Sequence, residues 1–168
     1  MRRTSFKNWV WPLRHAKGSY ALGNYLGCIA LCGMVGEMVA LLLWDISKLR
    51  LKEKPWDEKA QTAILGSTFE KLGQARRIKV LCAVGVVKSE SVVVFDGLRN
   101  IRNKYLHFLS QSHELAASNA KQAYQHASKL VEIVLGVRIE GGAVVLRPDL
   151  ETYLIERGII EAAPEKQG

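Results

Sequence analysis

Between Tyr25 and Trp44 the chain runs for twenty residues with one charge, Glu37, and is apolar on nearly every side of a helical wheel. Such a helix must be covered on several sides, by other helices at the centre of a bundle or by lipid. The helical pattern extends beyond this run. It starts near Ser19, a suitable capping residue, and ends near Leu51, before the charged turn Lys52-Glu53-Lys54-Pro55. Twenty residues is the threshold length for a membrane span, and Gly23-x-x-x-Gly27 is the small-residue spacing of packed membrane helices. A basic stretch ahead of an apolar run also mimics a signal anchor. Against lipid stands Glu37, which near the middle of a span would cost roughly 2–3 kcal/mol or more. A buried bundle helix is therefore the expectation, with an N-terminal membrane helix as the minority reading. In a bundle Glu37 needs a partner or must reach the surface, and the best-supplied partners are Arg99 and Arg102. If that pair were buried, removing the carboxylate would cost about 3–5 kcal/mol.

Those arginines belong to Leu98-Arg99-Asn100-Ile101-Arg102-Asn103-Lys104-Tyr105-Leu106-His107-Phe108. Val94, Leu98, Ile101, Tyr105 and Phe108, alternately four and three apart, form a core-facing seam. Arg99, Asn103 and His107, each four apart, line a second strip away from that seam, and Arg102 sits between the two. A helix with a core on one face and Arg, Asn and His on another needs something to meet the second face.

The same string resembles the signature of HEPN domains, small all-helical modules in which an Arg is followed four to six residues later by His. Here the motif is Arg102-Asn103, three residues, then His107, late in an amphipathic helix. The approach, Thr68-Phe69-Glu70-Lys71-Leu72-Gly73, a basic-apolar run, then Phe95-Asp96-Gly97-Leu98-Arg99, is similar to stand-alone bacterial members. The likeness covers roughly residues 20–135. It departs at Leu109, where many toxin members carry Tyr. The resemblance implies a four- to five-helix bundle in which two copies pack their motif helices about a two-fold axis. It also implies a toxin-like or defence-associated ribonuclease, with an antitoxin or other protein partner, though the group includes inactive members too.

The remaining chain fits a mainly α domain in three parts. Residues 1–17 form a basic-aromatic arm with Arg2, Arg3, Lys7, Arg14 and Lys17, no acid, and Phe6, Trp9 and Trp11 interleaved. Pro12 is expected to break any helix there. Such an arm either grips phosphates and stacks on bases or tucks its tryptophans against the domain. Residues 18–136 form the antiparallel helical bundle. Within it Asp57 caps a short helix to about Leu65, and Gly66-Ser67 ends it. Thr68 starts another helix to about Val86, weakened at Gly73 and Gly85. Arg76, Arg77 and Lys79 read as a solvated face of that helix, with Arg76 and Arg77 joining Arg2, Arg3 and Lys7 as RNA-contact candidates. Ser89 or Glu90 opens the motif helix. Ser112 caps the last long helix, which carries an alanine stripe at 116, 120, 123 and 127 and stops at Gly136. Residues 137–168 form a hairpin about Gly141-Gly142, a short helix from Arg147-Pro148-Asp149 to Gly158 and a frayed tail.

Twenty-four Lys and Arg against 16 Asp and Glu give a net charge of +8, which favours anionic partners, nucleic acid among them. Cys28, Cys32 and Cys82 suit buried thiols in a reducing cytoplasm rather than a disulfide framework or zinc site. His113 and His126 show no metal spacing, and no metal or cofactor is assigned. Metal-free RNA cleavage needs an acid/base, which His107 can supply, and a phosphate clamp, which Arg102 can supply. Asn103 can orient either group, with Glu37, Arg99, Lys104 and Tyr105 in support. The competing reading makes Arg102 and His107 a structural network in a non-catalytic homodimer that binds a protein or nucleotide.

Overall fold

The computed structural model describes the backbone over residues 4–50, 57–106, 114–136, 138–140 and 143–160. Side chains are described over residues 11–47, 57–105, 114–136 and 146–160. The described chain is mainly helical: α1 (Thr4–Ala21), α2 (Tyr25–Arg50), α3 (Glu58–Leu65), α4 (Gln74–Ala83), α5 (Ser89–Leu106), α6 (Ala116–Leu135) and α7 (Pro148–Glu156). Between α6 and α7, β1 (Arg138–Glu140) pairs antiparallel with β2 (Ala143–Val145), with Ile139 opposite Val144.

The apolar helix α2 is the centre of the bundle. Cys28, Ile29, Cys32, Val35, Leu43, Trp44 and Ile46 along it are buried. By length and composition Tyr25–Ser47 could cross a membrane, but more than half of that stretch is buried among the other helices. Two glycines let neighbours approach it closely. A Cβ on Gly33 would meet Arg102 of α5, and one on Gly36 would meet Leu98 of α5, Gln74 of α4 and, at 3.9 Å, Leu130 of α6. Residues 33 and 36 thus face 102 and 98, so α5 runs antiparallel to α2. Cys28 Sγ lies 3.7 Å from the Ala120 carbonyl, and Gly36 faces Leu130, so α6 runs parallel to α2. The alanine stripe of α6 is buried at Ala116, Ala120, Ala123 and Ala127, and Gly136 ends the helix at φ 52°. These small side chains let α6 lie close to its neighbours.

The N-terminal segment differs from the expected arm. Helix α1 passes straight through Pro12. An interior proline costs roughly 3 kcal/mol. Here Pro12 and Ala16 are both fully buried, and packing along α2 offsets that cost. The helix expected from Ser19 is also two helices. Gly23 adopts φ 75°, Asn24 N donates to the Ser19 carbonyl at 2.9 Å, and Asn24 Oδ1 caps α2 by accepting from Gly27 N at 2.9 Å. Asn24, not Ser19, is the capping residue. Gly23 lies in the corner, so Gly23 and Gly27 do not share a helix face.

Asp57 Oδ1 accepts from Ala60 N at 2.7 Å and Gly66 closes α3 at φ 72°, as the turn chemistry requires. The helix expected from Thr68 to Val86 is interrupted. A single 3-10 turn over Phe69–Lys71 is followed by extended Leu72 and Gly73 before α4. The cause is tertiary. Phe69 stacks on Trp44 with ring centroids 4.4 Å apart, and its N–H donates to Gln61 Oε1 at 2.9 Å, so it is held against α2. Helix α6 begins at Ala116, and Ser112 lies outside the described residues.

Candidate functional site

Of the expected seam of α5, Leu98, Ile101 and Tyr105 are buried, while Val94 is only partly so and Phe95 beside it is buried instead; Arg99, Arg102, Asn103 and Lys104 stay half-buried around the rest of the C-terminal half. Arg102 is the best-held of these. Its stem crosses α2 at Gly33, where a Cβ would come 2.5 Å from Cδ and 3.1 Å from Nε, so no side chain fits beneath it without displacing it. Its Nη1 then reaches Glu37 Oε1 at 2.9 Å. Gly33 and Glu37 are one helical turn apart on α2, one giving passage to the arginine and the other fixing its end. The two side chains are 28% and 38% exposed. At that exposure an ion pair is worth about 0–1 kcal/mol, far below the 3–5 kcal/mol of a buried pair.

Arg99 does not share Glu37. Its Nη2 lies 3.0 Å from Asp96 Oδ1, one turn earlier on α5, and its Nε is buried without a hydrogen bond among the described residues. Lys104 Nζ stands 5.6 Å from the Tyr105 ring centroid. Tyr105 is 4% exposed, and its hydroxyl accepts from Asn119 Nδ2 at 2.6 Å. This bond ties the end of α5 to the first turns of α6, on either side of residues 107–113. His107, Phe108, Ser112 and His113 lie outside the described residues, as do Arg2 and Arg3. Lys7 lies on α1, with its side chain outside the described set.

Arg76 and Arg77 are not a free basic face. Arg76 Nη2 donates to the Leu65 carbonyl at 2.8 Å; Arg77 Nε donates to the Phe69 carbonyl at 3.2 Å, and its Nη2 to that of Glu70. They cap carbonyls where α3 and the 3-10 turn end, that of Phe69 already accepting from Leu72 N, a structural use of guanidinium. Lys79 remains exposed.

Three features of this region had weaker sequence signals. Gly33 could be read as a crossing point because it precedes the only carboxylate of the apolar run between Tyr25 and Trp44 by one turn. Asn119 carries no local signal, since its role depends on α6 meeting α5. His126 rests on Gly97 of α5, where a Cβ would lie 2.7 Å from Nε2, and burial lowers its pKa. Cys28 and Cys32 are fully buried, and Cys32's thiol is pushed up by its contact with Cys28 and by burial, which keeps it protonated and unreactive.

The polar strip is separate from the cleft of about 590 Å³ at the far end of the bundle, lined by Leu43, Val86, Lys88, Ile133 and Arg147 among others. Arg147 is already bound there by Asp149 through two 2.6 Å hydrogen bonds. Among the described residues no three His, Cys, Asp or Glu side chains converge as a metal site would. The chain matches no family model, no curated protein and no solved structure.

Proposed function

We propose that this chain is a metal-independent RNA endonuclease, toxin-like or defence-associated, with an HEPN-like bundle and an active site completed at a homodimer interface. The observation that carries the reading is Arg102, a guanidinium held half-exposed at a fixed point beside Asn103, on the helix that leads into His107. In the proposed reaction His107 takes the proton of a ribose 2′-hydroxyl, which attacks the adjacent phosphorus. The P–O5′ bond breaks, the partner's His107, protonated, gives its proton to the leaving oxygen, and a 2′,3′-cyclic phosphate remains. Arg102 binds the phosphate oxygens as negative charge grows on them, and Asn103 orients the histidine or donates to the phosphate. Glu37 and Gly33 position Arg102, while Tyr105 and Asn119 hold the end of α5; Arg99 and Lys104 add positive charge nearby. A second copy supplies the other set of these groups across the two-fold axis.

One observation favours the non-catalytic homodimer: Arg99 and Arg102 both have carboxylate partners within the chain, as arginines in a structural network do. Cleavage of mixed RNAs in EDTA separates the two readings. A nuclease should yield cyclic-phosphate ends, with His107→Ala slower by about 10²–10⁴ and Arg102→Ala comparably impaired. Equal rates for wild type and His107→Ala, at the level of buffer, would establish the binding module instead. Sedimentation of a monomer at micromolar concentration would remove the composite site.

A further inference from the structure

The α1–α2 corner combines three properties that water-facing turns seldom share. Its side chains are apolar and outward: Leu22 is 86% exposed, Tyr20 37% and Leu26 39%, and the seven residues from Tyr20 to Leu26 hold no charge. Most of its backbone N–H groups are satisfied internally. The N–H groups of Leu22, Gly23, Asn24, Tyr25 and Cys28 donate to carbonyls within the corner, and that of Gly27 donates to Asn24 Oδ1. A turn needs that in an apolar phase, where water cannot supply the missing hydrogen bonds. Its flanks are basic and aromatic. Helix α1 contains no acid; Trp11, Arg14, His15 and Lys17 are exposed on it, and the rings of Tyr20 and Tyr25 lie 5.6 Å apart at the base of the tip.

We propose that this corner inserts peripherally into an anionic lipid surface, with Leu22 at its deepest point. At 1.5 Å per residue, Lys17 and Arg14 stand about 6 and 10 Å back from the helix end at Ala21, behind the tip at the level of headgroup phosphates. Tyrosines at the apolar–polar boundary and lysines or arginines above it are the arrangement bilayer interfaces select. Two-fold pairing with a second copy fits the corner less well, because it would bring Arg14 and Lys17 toward their own counterparts. Glu114, at the foot of α6, is already engaged within the chain. A spanning α2 fits less well too, since Glu37 is committed to Arg102 and most of the helix is covered by α1, α5 and α6. The inference stands apart from the ribonuclease reading, because none of its residues belongs to the motif strip.

The test is co-sedimentation of the full chain with vesicles of phosphatidylcholine alone and of phosphatidylcholine with phosphatidylglycerol in equal parts. Binding should require phosphatidylglycerol, weaken with salt and be reversed by a carbonate wash. Leu22→Asp should bind about 10- to 100-fold more weakly, the worth of burying one leucine, with an unchanged thermal midpoint because the side chain touches little of the fold. Arg14→Glu with Lys17→Glu should abolish the lipid selectivity. Equal binding of wild type and Leu22→Asp, or no binding to either vesicle, overturns the proposal. Carbonate-resistant protein would mean that α2 spans the bilayer. A self-association dissolved by Leu22→Asp would mean that a second copy covers the corner. Either result also overturns it.

Discussion

Replacing Gly33 by alanine places a methyl group where Arg102 now crosses α2. The new Cβ would lie 2.5 Å from Arg102 Cδ and 3.2 Å from Cγ. Carbon atoms in contact sit about 3.5–4.0 Å apart, so the arginine stem must lift by about 1 Å, carrying its guanidinium away from Glu37. The stability effects oppose one another. Alanine in a helix interior gains about 0.5–1 kcal/mol over glycine, while the half-exposed ion pair it disturbs is worth about 0–1 kcal/mol. Gly33→Ala should therefore keep the urea midpoint within about 1 kcal/mol of wild type. A double-mutant cycle gives the readout independent of activity: Glu37→Gln on the Gly33→Ala background should show less coupling to Arg102 than on wild type. In the ribonuclease assay the same variant should lose about 10²-fold, the usual effect of a 1 Å misplacement in a catalytic group. A fall of several kcal/mol in stability would refute the argument, since it would place Gly33 in rigid core packing instead of beneath a movable side chain. Undiminished Glu37–Arg102 coupling would refute it as well.

Glu37→Ala and Glu37→Gln should each shift stability by less than about 1 kcal/mol, because the pair is half-exposed; urea titration of both variants checks this. Stability should also depend on His126, whose folded pKa is held below the ordinary 6.5 by burial. The neutral form is favoured in the folded chain, so its contribution is complete above pH of about 6.5 and is lost as pH falls from there toward the depressed folded value. Denaturation midpoints measured across that range should decline, and the difference between wild type and His126→Gln should isolate the histidine's share.

The elements announced by local chemistry were legible in the sequence. Asp57 and Gly66 bracket α3, Gly136 ends α6, and the alanine stripe and the seam through Leu98, Ile101 and Tyr105 face inward because helical periodicity alone sorts them. The departures arise where long-range packing outweighs local preference. Pro12 stays helical in an α1 whose buried face packs on the bundle, and Phe69 breaks the helix expected from Thr68 because Trp44 holds its ring. Arg76 and Arg77 illustrate a different limit: a basic run on a helical wheel does not show which carbonyls lie within reach of long side chains. At the candidate site, Glu37 could be matched to two arginines from sequence. Only the glycine beneath Arg102 and the aspartate one turn before Arg99 distinguish them.

The helix directions bring the two proposed surfaces to the same end of the bundle, and this makes their independence testable. Because α5 runs against α2 and α6, its C-terminal turn meets the first turns of α6 through Tyr105 and Asn119. Those turns lie beside the start of α2 through Cys28 and Ala120, directly after the exposed corner. Sharing an end does not mean sharing residues: Leu22 faces outward at the tip, while Arg102 lies over Gly33, about two turns into α2. Substitutions at separated positions without common partners act additively. Leu22→Asp should therefore lose vesicle binding and keep its rate on RNA in free solution. Arg102→Ala should lose cleavage and still bind anionic vesicles, slightly more weakly for its missing charge. The double variant should show both losses without enhancement. If Leu22→Asp also lowers the solution rate, the corner is part of the dimer or the active site, and the lipid surface is not its partner.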